Sequence, residues 1–400
     1  MTAKRATGTG MRGFRRARLG RLLLVVVSLS TSAIAVEAAL RSALDPVDVL
    51  RPELIADDVL GFRIRPGSNG HDALGCRNRS VPASADVLAI GDSFTYGQGA
   101  TLSESWPAAL ARRLATSVYN LATPGYGPAH YCHLLERHGV RLEPRLVIVG
   151  FYYGNDLENA AATVYARDHW KELRDPDVPA ASLADTNVVK ASDAVRGFAR
   201  WKLHLQERSF LYRFVDLGLK EMNRQLTAHV FPALDDDFVR IADGVTPLHT
   251  SLTPGKRIRA LDLSDLRIAE GLRLSLAFFR RMRALCGDRG IDLAILLLPT
   301  KEGVLADYLE RSGILAQNPK LERAIAAERE VDRRVKRFLD EHEIDYFDPR
   351  EALAAAIGRE LVYSTDLDGH PNPAGYAVIA ESVAEAIASR GLLDSRSARP

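Results

Sequence analysis

Apolar residues along this chain fall into three kinds of run. The first is Leu22–Val36, an apolar stretch holding Ser28, Ser30, Thr31 and Ser32. The second kind is short and continuous: Val87–Ile90, Val118–Leu121, Leu146–Phe151, Asp292–Leu298 and Ile344–Phe347. Short apolar runs without alternation predict strands buried on both faces. The third kind places apolar residues at helical spacing: Trp106–Leu114, Ala129–His138, Leu266–Leu285, Leu321–Phe338 and Pro373–Ile387. Strand and helix alternate, which predicts an α/β fold of three layers, a parallel sheet with helices on both faces.

Two stretches break the alternation. Residues 41–84 are irregular and rich in Pro, Gly and Asn; we read them as a lead-in lying along the following domain. Residues 157–265 mix a helical piece, Val195–Lys220, with a polar tract, Asp235–Lys256. That is too long for a plain connection and reads as an insertion, either a lid or platform beside the site or a structural elaboration. The predicted organisation is therefore residues 1–40 as an N-terminal segment, 41–84 as lead-in, and 85–400 as the main domain carrying the insertion. Trp201, Tyr212 and Phe214 are expected to form a small core of the insertion's own.

Composition narrows the class. Apolar residues make 46% and charged residues 26% of 400 residues, the balance of a folded globular chain. The net charge is +2, but residues 1–36 hold seven bases and no acid, leaving −5 for the rest. A main domain of that sign argues against a nucleic acid partner, and no nucleic-acid motif is present. Cys76, Cys132 and Cys286 make no CxxC pair, so a zinc or thioredoxin-like site lacks support; free thiols are the expectation. His130, His133 and His138 share one helical stretch without an acid pattern for a metal, and are read as packing or surface residues.

The charge asymmetry also bears on the first run. Leu22–Val36 is 15 residues, short of the ~20 that span a bilayer, and Ala38–Leu40 extends it past Glu37. It predicts either a signal anchor or a signal peptide cut near Ala33-Ile34-Ala35. In both cases the basic flank stays inside and the rest lies outside the cytoplasm. Arg15-Arg16 is a poor twin-arginine candidate, because Ala17-Arg18 follow it.

Candidate chemistry sits at the ends of the predicted strands. Val87–Ile90 runs into Gly91-Asp92-Ser93-Phe94. A serine at the carboxyl end of a buried strand stands where open α/β sheets place their sites, with turn N–H groups available to an oxyanion. Serine is also a common helix cap. A serine nucleophile needs a base and an acid to orient it. The tract Tyr363–Pro373 supplies His370, with Asp366 and Asp368 before it. Candidate oxyanion donors are the Ser93 N–H, the Gly125 N–H and the Asn155 side chain, each after a successive strand. Tyr153 and Lys301, also at strand ends, are candidate substrate-binding residues; Tyr153 reads also as core, and Lys301 as a solvated lysine.

Four blocks together resemble the SGNH (GDSL-type) hydrolase family, in the family's order: Gly91–Phe94, Asn120–Gly125, Gly154-Asn155-Asp156 and Asp368-Gly369-His370. The resemblance covers residues 60–156 and 266–390. Gly61–Gly67, Leu74–Asn78 and the N-terminal run resemble the membrane-anchored bacterial members. Many members carry Asp-x-x-His; here the position three before His370 is Leu367. Asp368 is assigned as the orienting acid, and Asp366 is its rival. The resemblance implies a flavodoxin-like sheet, acyl-ester chemistry, no metal and no cofactor. It implies Ser93, His370 and Asp368 as the catalytic set, acting on an acyl ester of a glycan or lipid. Two other readings stay open: an O-acyltransferase of an envelope or exopolysaccharide, and a non-catalytic glycan-binding or assembly protein on the same fold. The sequence says nothing of oligomeric state.

Overall fold

The computed structural model describes residues 9–179, 183, 198–230, 238–242 and 248–393. It divides into two compact units, one of residues 52–195 and 233–400, the other of residues 1–51 and 196–232.

The larger unit holds, among the described residues, β1 (Leu54–Asp57), β2 (Gly61–Ile64), β3 (Val87–Ile90), β4 (Val118–Asn120), β5 (Leu146–Tyr152), β6 (Val239–Ala242), β7 (His249–Leu252), β8 (Asp292–Leu298) and β9 (Asp345–Phe347). Five form one sheet in the order β4-β3-β5-β8-β9. Every pairing in it is parallel. Successive side chains alternate between faces, so each continuous run feeds two cores. Leu88, Ile90, Val147, Val149, Ile295 and Leu297 pack on one side, against helices Pro128–Arg137, Asp156–Ala166 and Leu266–Gly287. Val87, Ala89, Ile148, Ala294, Leu296 and Leu298 pack on the other, against Trp106–Leu114, Arg350–Ile357 and Pro373–Arg390. The α/β expectation holds, and the alternating strands and helices read from the sequence stand within three residues of those observed, while the helical piece read over Val195–Lys220 is two helices, Phe198–Arg208 and Phe210–Val230.

The chain leaves β3, returns as β4 on one side, then crosses to β5 on the other. The strand order reverses at β3, and Ser93 follows its carboxyl end, the switch point where open α/β sheets place their sites.

The structure redraws the expected organisation. The lead-in contains the antiparallel hairpin β1–β2. It is tied into the main unit: Asn78 Nδ2 donates to Asn120 O at 2.9 Å, and Tyr119 Oη donates to Asp72 Oδ2 at 2.7 Å. The stretch read as an insertion is partly core. Helix Asp156–Ala166 buries Leu157, Ala160 and Val164. A Cβ on Gly271 would come within 2.0 Å of Leu157 O, so glycine is what lets the two helices approach. Hairpin β6–β7 contributes Ile241, Leu248 and Leu252 to the second core.

The smaller unit holds helices Thr9–Ala43, Phe198–Arg208 and Phe210–Val230. Residues 18–43 contain an 18-residue stretch of mean hydropathy 2.1, and the helix is long and apolar enough to cross a membrane or serve as a signal sequence. Trp201 and Phe214 do not form the small core expected of them: they are 55% and 46% exposed. Tyr212 is half-buried, with its ring centroid 6.3 Å from that of Trp201.

Candidate active site

Ser93 opens a single helical turn, Ser93–Tyr96, directly after β3. The turn is stabilised from both ends. Asp92 caps it, its Oδ1 accepting the Phe94 N–H at 2.9 Å. Gly97 follows with φ +87°, a left-handed conformation that glycine adopts without strain, and a Cβ there would meet Ser105 Cβ at 2.4 Å. The Gly97 and Gln98 N–H groups both donate to Ser93 O, at 3.1 and 2.9 Å. Behind the turn lies buried Arg77, from the lead-in. Its guanidinium donates to the carbonyls of Tyr96 (3.2 Å), Gly97 (2.8 Å) and Ala100 (2.9 Å). Asn120, at the end of β4, donates from Nδ2 to Thr95 O at 2.8 Å.

His370 comes from the opposite end of the chain, on a loop closed at its base. Tyr363 and Pro371 form an isolated bridge. Asn372 N donates to Val362 O at 3.1 Å, while Asn372 Oδ1 caps the last helix through Gly375 N at 3.0 Å. The loop brings His370 Nε2 to 2.7 Å from Ser93 Oγ, and His370 Nδ1 to 2.5 Å from Asp368 Oδ1. A carboxylate only accepts, so Nδ1 carries the imidazole proton and Nε2 is the acceptor facing Ser93. The His370 backbone N–H adds a second bond to Asp368 Oδ1, at 3.0 Å. Burial raises the Asp368 carboxyl, but the His370 bond and charge, with Lys301 nearby, win and hold it down at about 2. The two rival acids thus separate in space. Asp366 Oδ1 accepts from Ser364 Oγ and from the Asp368 N–H at 3.0 Å, shaping the loop.

A second, fully buried pair of carboxylates lies under the serine. Asp92 Oδ2 stands 3.3 Å from Ser93 Oγ. Burial pushes its pKa up, against hydrogen bonds from Phe94 and Asn155. Asp156 is pushed well up by burial and then by the Asp92 charge, while Tyr131 Oη and Tyr152 N–H donate to it at 2.9 and 3.0 Å. Asn155 sits at the end of β5, and its buried Oδ1 has no partner. Gly125, after β4, has φ +84°. The three proposed oxyanion donors thus follow β3, β4 and β5, neighbours in the sheet.

Two expected substrate contacts are corrected by their surroundings. Tyr153 is wholly buried and donates its hydroxyl to Asp332 Oδ1 at 2.9 Å, so it belongs to the core. Lys301 is also buried. Its ammonium donates to Thr250 Oγ1 (3.0 Å), Ser251 O (3.3 Å), Ser364 O (3.3 Å) and Asp366 O (2.9 Å). It braces the loop that carries Asp368 rather than facing a ligand, and burial pulls its pKa down to about 8.

Sequence reasoning missed Arg77, Arg257 and Glu302. Arg257 Nε bonds Glu302 Oε2 at 2.9 Å in a pair buried on both sides. Burial works to raise Glu302, but the Arg257 charge and the Thr253 N–H hold it lowered. A Cβ on Gly369 would stand 2.7 Å from Arg257 Nη2, so the glycine beside His370 makes room for this guanidinium. No local motif signals these three residues, because their partners lie from 19 to 49 positions away. Among the described residues, no cluster of His, Cys, Asp and Glu could hold a metal ion.

No protein-family model and no curated sequence matches the chain. Among solved structures it is similar to a GDSL-like lipase from Bacteroides thetaiotaomicron (9% identity, covering 76% of this chain and 88% of that one, TM-score 0.35). It is similar to a mutant of an acetyl-xylooligosaccharide esterase from Geobacillus Stearmophilus (11%, 80% and 99%, 0.35). It is also similar to the lipase/acylhydrolase from Enterococcus faecalis (12%, 76% and 96%, 0.33). At this level of likeness, only the side chains of the site can carry a functional reading.

Proposed function

We propose that the chain is a serine esterase of the SGNH/GDSL type, tethered to a membrane by its N-terminal helix. It would cleave an acyl ester of a glycan or lipid through an acyl-serine. One observation carries the reading: the unbroken line from Asp368 Oδ1 to His370 Nδ1 at 2.5 Å and from His370 Nε2 to Ser93 Oγ at 2.7 Å. The line has the polarity that nucleophilic catalysis requires, an ionised acid, an imidazole with its proton on the acid's side, and a hydroxyl facing the free nitrogen.

In this mechanism His370 Nε2 takes the Ser93 Oγ proton as Oγ bonds to the ester carbonyl carbon. The carbonyl π pair moves onto oxygen, where the Ser93 N–H, the Gly125 N–H and the Asn155 amide stabilise it. The loss of one such donor typically costs ~10²–10³ in rate. Collapse expels the alkoxide, which receives the proton from His370. Water then repeats the sequence on the acyl-serine, releasing the acid. Asp368 remains ionised throughout and stabilises the imidazolium.

The test is fluorophosphonate labelling and p-nitrophenyl ester turnover by the full chain in detergent, beside Ser93→Ala. Wild type is expected to label and turn over. Ser93→Ala is expected to lose labelling and at least ~10⁴-fold in turnover. Equal labelling of the two proteins would overturn the proposal. Labelling without turnover, relieved by a sugar acceptor, would point to acyl transfer instead.

A further inference from the structure

The helix Phe210–Val230 is inside-out for a protein in water. At 100° per residue, Phe214, Val215, Leu219 and Met222 share one side, and Arg213, Asp216 and Lys220 the other. The apolar side is the exposed one: these four residues and Leu217 are 44–55% accessible. On the polar side Asp216 is turned inward, while Lys220 stays exposed. Asp216 is buried and bonds Gln206 Nε2 and Lys220 Nζ, both at 2.8 Å, with Arg213 at 3.4 Å and Lys202 at 3.6 Å. Trp201, on the preceding helix, is exposed as well. A water-facing surface of this kind is rare on soluble proteins, whereas satisfied polar groups inside and apolar groups outside suit hydrocarbon contact.

The same unit says what the apolar face meets. Glu37 lies near the carboxyl end of the apolar segment 18–43. Its carboxylate accepts from Ser209 Oγ (3.0 Å), Phe210 N (3.2 Å) and Leu211 N (2.8 Å). Arg41 pairs with Glu37 at 2.8 Å and stacks over the Phe210 ring at 5.3 Å. The amphipathic helix is therefore fixed by its first turn where the spanning segment ends, at headgroup depth. Its acids and bases exclude a second span, and its composition is that of an interfacial helix.

We propose that Phe210–Val230 lies in the outer headgroup layer of the membrane with Phe214, Val215, Leu219 and Met222 towards the acyl chains. This rests on the reading of the N-terminal helix as a retained anchor.

The test uses the full chain in phosphatidylcholine–phosphatidylglycerol vesicles. An environment-sensitive fluorophore is placed singly at Val215→Cys, Leu219→Cys and, within the anchor, Leu29→Cys; the three native cysteines are buried. At 215 and 219, emission is expected to resist iodide and to lose more to a nitroxide at headgroup level than to one at the chain end. At 29 the order reverses. Iodide-sensitive emission at 215 and 219 overturns the proposal, and so does shielding from iodide without nitroxide quenching, which means that another protein chain covers the face. If position 29 is embedded while 215 and 219 are not, the anchor stands and the interfacial helix falls. Iodide access at all three removes both.

Discussion

At the scale of single residues, the loop Tyr363–Pro371 divides labour between two aspartates that look equivalent in the sequence. Asp368 bonds the imidazole; Asp366 bonds Ser364 and the Asp368 N–H. Asp368→Asn is expected to lower kcat by about 10³–10⁴, because an amide can hold the wrong tautomer of His370. Asp366→Asn keeps an accepting oxygen and is expected to cost less than about 10-fold, as loop geometry only. Steady-state kinetics on a p-nitrophenyl ester separates the two, and a reversal of their order would reassign the acid. Lys301 belongs to the same loop. Lys301→Met strands the Ser364 and Asp366 carbonyls that its ammonium serves, and is expected to lower kcat by about 10-fold with KM little changed. An unchanged kcat would show that the Tyr363–Pro371 bridge holds the loop alone.

At the scale of elements, the site depends on how turns are stapled to their neighbours. The turn bearing Gly125 is held by His130 on the following helix. His130 Nδ1 accepts the Gly127 N–H at 3.1 Å, Nε2 bonds Leu60 O at 3.1 Å, and the ring stacks on Tyr126. Burial drives the His130 pKa down to about 4, from the ordinary 6.5. The folded state thus holds this imidazole neutral where the unfolded chain protonates it. Its contribution to stability is whole above pH ~6.5 and falls as the pH drops towards ~4, by about 3 kcal/mol in the limit. The urea midpoint of wild type is expected to decline across that window. His130→Gln is expected to start lower at pH ~7 and decline less steeply. Parallel slopes would assign the acid sensitivity elsewhere.

At the scale of the whole molecule, the chain joins an α/β unit to a helical unit that combines both ends of the apolar N-terminal region with a distant helical pair. If the apolar segment is retained, the full chain stays with membranes under alkaline carbonate extraction. Release of a species starting after Ala35 into the supernatant would show a cleaved signal instead.

The sequence by itself determined the α/β class, the strands that end at the candidate site and the position of the proposed nucleophile after one of them. Those properties are local: strand runs, helical spacing and turn residues are written over a few consecutive positions. It also carried Ser93, His370 and both acids, since a distinctive residue type in a distinctive neighbourhood is visible without coordinates. What it could not separate was Asp366 from Asp368, because two residues along a loop differ only in where the backbone turns them. It misread Tyr153 and Lys301 for the same reason: a strand end marks the sheet edge but not whether a side chain there meets solvent or a buried partner. Arg77, Arg257 and the grouping of Phe210–Val230 with Thr9–Ala43 depend on contacts across tens to nearly two hundred positions. Tertiary packing alone decided them, because such partners are brought together by chain closure and leave no periodic trace in the residues themselves.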